Sequence, residues 1–132
     1  MNLDIKKSFW GEMAAKWLSG ACTPDYTLDQ LAADVNCGDC VLFNVYDQDE
    51  HVASMVLRLD DLTAHKEMVV VAGGGKWTGG SLYKILTPFC EKLAKNNNAK
   101  FLRGHCSKQG IGRLMTGAGW ELSEYVYRKE VA

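Results

Sequence analysis

In VVVAGGGKWTGGSLYKIL, residues 69–86, two kinds of local structure meet across a run of glycines. A β-branched apolar run gives way to five glycines within eight residues, and a helical pattern starts at once. Leu82, Ile85, Leu86, Phe89 and Leu93 recur at helical spacing from Ser81 onward. Glycine has no Cβ, so backbone N–H groups in such a loop can converge on a ligand. A helix that begins directly afterwards adds unpaired N–H groups and a partial positive charge. Gly74, Gly75, Gly79 and Gly80, with Ser81, therefore form a candidate pyrophosphate cradle, and Lys76 supplies charge. The stretch matches neither the P-loop nor the dinucleotide fingerprint, and by itself an awkward turn explains it equally well.

Working outward, EMVVVAGG (67–74) reads as a strand preceded by two others, CVLFNVYD (40–47) and VASMVLRLD (52–60), joined by a polar turn. These three make an antiparallel meander. Upstream, Trp10, Met13, Ala14, Trp17 and Leu18 give residues 5–19 a helical stripe. Thr27 and Gln30 have the spacing of a capping box for a second, short helix. Downstream, FLRGHC (101–106) reads as a strand, SKQGIGRLMTGAG (107–119) as a helix, and WELSEYVYRKEV (120–131) as a closing strand. A strand–helix–strand unit after a meander predicts an α/β fold: a mixed, mostly antiparallel sheet with helices on both faces. The 132 residues suit one domain, 1–132. It divides into N-terminal helices over 1–36, antiparallel strands over 40–73, and a final unit over 74–131.

A hydrophobic content of 47% excludes a disordered chain, and a formal net charge of −1 argues against nucleic acid or an anionic membrane as partner. No apolar run is long enough to span a bilayer. Five cysteines without an export signal predict reduced thiols and a cytoplasmic location, in a bacterium or a phage-infected host cell. Cys37 and Cys40 form a single C-x-x-C between a helix and a strand, which points to neither a metal site nor a redox pair. Trp77, set among the loop glycines, is expected to be exposed.

From 67 to 131 the order and spacing resemble the GNAT superfamily of acetyl-coenzyme-A-dependent N-acetyltransferases. The carriers of the resemblance are EMVVVA, GGGKWTGGS, the long helix, AKFLRGHCS, and a last helix ending in Gly119-Trp120 where the family usually has Gly-Phe. YVYRKEV is similar to the family's closing strand, and the brevity of the chain is similar to small phage- and prophage-encoded members. The loop departs from the usual Arg/Gln-x-x-Gly-x-Gly/Ala. Met115 stands where the family often has a tyrosine acid, and the first strand is missing or short.

The resemblance implies acetyl-CoA as co-substrate and an amine acceptor, a small molecule or a protein, whose identity the sequence does not specify. The backbone near Val71 and Gly73 would hold the pantetheine arm, and 74–81 the pyrophosphate. Glu67, at the start of its strand, is the implied base. His105 is a proton relay close to the thioester, and Tyr125 or Tyr127 an alternative acid, although core packing accounts for the tyrosines equally well. The alternative function is a non-catalytic binding, virion-associated or effector module on the same fold, and a homodimer is compatible with either.

Overall fold

The computed structural model describes residues 3–77, 81–105 and 109–131. Five strands form one sheet in the order β1-β2-β3-β4-β5. They are β1 (Leu3–Ser8), β2 (Val41–Asp47), β3 (Glu50–Asp61), β4 (Lys66–Gly75) and β5 (Ala99–Gly104). The first four pair antiparallel, and β5 joins β4 in parallel. The helices are α1 (Glu12–Leu18), α2 (Leu28–Asn36), α3 (Ser81–Asn96) and α4 (Gln109–Gly117). A parallel pair needs a crossover connection, and α3 supplies it between β4 and β5.

Local chemistry explains these elements. Gln48 and Asp49 both take left-handed conformations (φ 50° and 70°), which makes the two-residue hairpin turn between β2 and β3. Thr27 caps α2, its hydroxyl accepting from Gln30 N–H at 3.2 Å. The Gln30 side chain does not reach back in a capping box; it donates to Asp34 Oδ1 at 2.9 Å. α3 runs unbroken through Pro88.

The sheet carries an apolar layer on each face. On one, Val45, Ala53, Met55, Leu57 and Met68 pack against Leu86, Cys90 and Ala94 of α3. On the other, Leu42, Val56 and Ala72 meet Ala14 and Leu18 of α1 and Leu31 of α2. Fully burying each such leucine contributes about 1.5–3 kcal/mol. Three polar side chains at the β2–β3 pairing, Asn44, His51 and Ser54, bond to one another. The Ser54 hydroxyl donates to Asn44 Oδ1 at 2.8 Å, and His51 Nε2 lies 2.8 Å from Ser54 Oγ and 2.9 Å from the Ala53 carbonyl oxygen.

Three expectations change at the chain ends. The helix expected over 5–19 begins at Glu12, and the strand expected to be missing or short is present as β1. The half-buried Leu3 and Ile5 alternate with exposed neighbours and pack on the α3-side core, a period of two that wins over the helical stripe beyond it. At the other end, residues 120–131 form no strand. Tyr125, Val126, Tyr127 and Val131 are 75–90% exposed, so the segment gains no packing that would fix it as an element.

Candidate active site

The site is an opening in the sheet. Parallel pairing between β4 and β5 runs from Lys66↔Ala99 to Val70↔Gly104 and stops. β4 continues to Gly75, still paired to β3 on its other side, with Gly73 opposite Met55 and Gly75 opposite Ala53. From Val71 to Gly75 the edge of β4 that β5 would cover is therefore free among the described residues. A cleft of about 710 Å³ lies there, floored by Val70–Gly75. Trp17 and Tyr26 form one wall, Leu82 and Leu86 of α3 another, and His105, Met115 and Trp120 the end beyond β5.

The glycine cradle is corrected in part. Gly73, Gly74 and Gly75 are residues of β4, not of a loop. A Cβ on Gly74 would lie 1.9 Å from the Trp17 carbonyl oxygen, and one on Gly75 2.5 Å from Ala53 Cβ. Close packing of α1 and β3 against the strand accounts for those two glycines. Lys76 N–H extends the ladder by donating to the Val52 carbonyl oxygen at 2.9 Å. Its ammonium is 4.0 Å from Asp47 Oδ2 and 6.0 Å from the Trp77 ring centre. Trp77, expected to be exposed, is half-buried against the α3-side core. Gly79 and Gly80 lie outside the described residues, and Ser81 opens α3.

Of the three candidate catalytic side chains, the structure brings one to the cleft. His105 directly follows β5 and is exposed there. Glu67 does not line the cleft; it faces a second groove along the outer edge of β5. Its Oε2 accepts from Arg103 Nη1 at 2.8 Å, and its Oε1 is 3.1 Å from His65 Nε2. Arg103 also donates to Asp60 Oδ2 at 2.9 Å, and Arg58 donates to both Asp60 oxygens at 2.7 and 3.1 Å. Glu67 is thus a member of a charged clasp across β3, β4 and β5. The Arg58 hydrogen bonds are the main cause holding the Asp60 carboxyl below its usual range. Tyr125 is 75% exposed and lines neither cleft nor groove.

Sequence reasoning missed Trp17, whose helical stripe marks it as core. Its indole Nε1 is buried without a hydrogen-bond partner among the described residues, and the residue lines the cleft. Met115 packs on the end of β5, its Cε 3.0 Å from where a Gly104 Cβ would stand. Gly119, at φ 93°, terminates α4, with Trp120 N–H returning to the Met115 carbonyl oxygen at 3.1 Å. Trp120 Nε1 then donates to Thr87 Oγ1 at 3.1 Å.

Asp34, Cys37 and Asp39 place their ligating atoms within 4.8 Å of one another. Asp34 already accepts from the Tyr26 hydroxyl and from Gln30, and these bonds lower its carboxyl below the ordinary value. Burial raises the Cys40 thiol. The described cysteines Cys22, Cys37, Cys40 and Cys90 are all free thiols.

No family model matches the chain, and no curated protein matches it in sequence. Solved structures do. Glucosamine-6-phosphate N-acetyltransferase from Arabidopsis thaliana aligns over 100% of both chains at 14% identity and a TM-score of 0.63. Aminoglycoside N-acetyltransferase AAC(6′)-Iy in complex with CoA aligns over 98% of this chain and 96% of that one, at 14% identity and a TM-score of 0.69. A transcriptional regulator from Bacillus halodurans C-125 aligns over 98% of this chain and 100% of that one, at 12% identity and a TM-score of 0.72. The chain has the GNAT fold. No helix among the described residues is long and apolar enough to cross a membrane.

Proposed function

We propose that this protein transfers the acyl group of a coenzyme A thioester, with acetyl-CoA as the donor, to an amine. The observation that carries this reading is the free edge of β4 from Val71 to Gly75 at the floor of a large cleft. A pantetheine arm is an extended chain with two amides, so it can hydrogen-bond to that edge as a strand would. Val71 and Gly73 supply main-chain groups for the arm. The backbone N–H groups at the start of α3, which opens at Ser81, bind the pyrophosphate. The two acetyltransferase neighbours, one of them in complex with CoA, support the same assignment.

The acceptor amine enters beside Trp17 and Tyr26. Its nitrogen forms a bond to the thioester carbonyl carbon, the C–S bond breaks, and coenzyme A leaves as the thiolate. The amine proton passes to His105 or to water. Holding both substrates in one cleft removes the entropic cost of a bimolecular encounter, which supplies much of the rate without an acid in place of Met115. His105 is the better-placed proton acceptor, because the Glu67 carboxylate is already held by Arg103 and His65.

Titration with CoA and acetyl-CoA, followed by melting temperature, tests donor binding. A ligand at about 100 times its Kd stabilises by about 2.7 kcal/mol. Absence of any shift at millimolar CoA removes the proposal. Thiol release from acetyl-CoA over a panel of amines then separates an enzyme from a binding module. With an active amine, loss of rate in His105→Ala and retention in Glu67→Gln is expected, and the reverse result returns the base to Glu67.

A further inference from the structure

We propose that the acceptor is an arylamine, an aromatic amine that carries no charge at neutral pH, an inference that rests on the acyl-transfer reading above. The chemistry of the cleft wall points to it. Among the described residues that line the cleft there is no Asp, Glu, Lys or Arg. Five are aromatic: Trp17, Tyr26, Trp77, Tyr83 and Trp120. Leu31, Leu82, Leu86, Ile111 and Met115 add an aliphatic surface. An ammonium entering such a cleft loses its water and meets no carboxylate that replaces it, so it binds only after giving up its proton.

The carboxylates in the neighbourhood are engaged elsewhere. Asp34 accepts from the Tyr26 hydroxyl and from the Gln30 side chain. Glu67 lies in the outer groove, held by Arg103 and His65. Aromatic rings can stand in for a carboxylate by holding a cation against their faces. Here Lys16 Nζ lies 5.0 Å from the Trp17 ring centre and Lys76 Nζ 6.0 Å from that of Trp77, so two of the five rings already face a lysine cation. Those ammonium groups repel another. The titratable groups along the cleft are Cys22, Tyr26, Tyr83, Cys90 and His105. Burial raises the Cys22 thiol and pushes the Cys90 thiol up to about 12, and burial with the Asp34 hydrogen bond raises the Tyr26 hydroxyl. These three bring no negative charge to the wall near neutral pH.

An arylamine meets all of these conditions. Its nitrogen lone pair is delocalised into the ring, which keeps it neutral, and the ring packs on the aromatic wall. The transfer then needs no carboxylate base. The nitrogen bonds to the thioester carbonyl carbon, the C–S bond breaks, and the proton shed by nitrogen ends on the departing thiolate, through His105 or a water. The products are an N-aryl acetamide and coenzyme A.

4-Ethylaniline and 2-phenylethylamine are isomers, the first neutral and the second a cation near pH 7, so the pair separates charge from size. At pH 7 about one part in 10³ of an alkylamine is neutral, and the greater reactivity of that fraction offsets only part of the deficit. Thiol release from acetyl-CoA should therefore give 4-ethylaniline a kcat/KM about tenfold or more above that of its isomer, and above those of glucosamine and spermidine. From about pH 7 to 8.5 the value for 4-ethylaniline should stay level, whereas that for 2-phenylethylamine should climb about tenfold per pH unit as its neutral fraction grows. A level profile for 2-phenylethylamine, a higher kcat/KM with glucosamine or spermidine, or no thiol release with 4-ethylaniline overturns the inference. The melting temperature with CoA tells the two failures apart. Where CoA raises it, those results remove the arylamine and leave the donor site standing; where CoA does not, the donor site falls and the inference falls with it.

Discussion

Gly74→Ala is expected to destabilise the protein through one backbone contact. The new Cβ would fall 1.9 Å from the Trp17 carbonyl oxygen, 1.1 Å short of the 3.0 Å that real Cβ atoms keep. The opposing atom is main chain, so no side-chain rotation relieves the clash. α1 would have to lift, and it is anchored by Ala14 and Leu18, 2% and 0% exposed. Overpacking of this kind costs about 1–3 kcal/mol. Gly73→Ala is the internal control, one residue away on the same strand. Its Cβ meets nothing nearer than Met55 Cβ at 4.0 Å, and its φ is not in the left-handed region. Removing glycine's freedom in the unfolded chain should there stabilise by about 0.4–1 kcal/mol. Urea unfolding followed by circular dichroism should move the two midpoints in opposite directions. Equal midpoints would refute the account of Gly74 as a packing glycine and return it to the role of a ligand-binding one.

Three further outcomes follow from contacts already described. Thr27→Ala should lower stability by about 1 kcal/mol in the same assay, because Gln30 N–H loses its cap, and Thr27→Asp should restore most of it. Burial holds the His51 imidazole below its ordinary value of 6.5, so between the two values the unfolded chain binds more protons. Stability should therefore fall as pH drops below about 6.5 and level off once folded His51 is also charged, and urea midpoints of His51→Gln should show a flatter profile over that window. Arg103→Met strands Glu67 and Asp60 without a shared cation and should cost about 1–3 kcal/mol by urea unfolding, lessened by the residual exposure of the site, whereas Glu67→Gln should cost less.

The meander, the crossover helix and β5 were legible because period-two and period-3.6 patterns rest on burial, and burial is what the sheet and α3 share. β1 was hidden because it is a half-buried edge strand followed after three residues by a strong helical stripe. The tail misled for the opposite reason. Its alternation is a strand's, but pattern states only what a segment can pair with, and among the described residues no strand pairs with it. In the site, glycines are ambiguous in sequence: absence of a Cβ serves a ligand and a neighbouring carbonyl equally, and only the position of Trp17 decided for Gly74. Glu67 was placed on the right strand, but its partner Arg103 is 36 residues away, and no local signal joins them.

The cleft floor is made of main chain, and main chain is what every sequence has in common. The proposed donor site, written in N–H and C=O groups from Val71 to Gly75, asks of the side chains only that two strands part company after Val70 and Gly104. Mutations can replace nearly every residue around such a gap while its hydrogen-bonding lattice persists. The same fold in chains that superpose over 96–100% of their lengths at 12–14% identity agrees with such tolerance. Under the proposed function, specificity then falls to side chains that line the cleft away from that floor, Trp17 and Tyr26 among them.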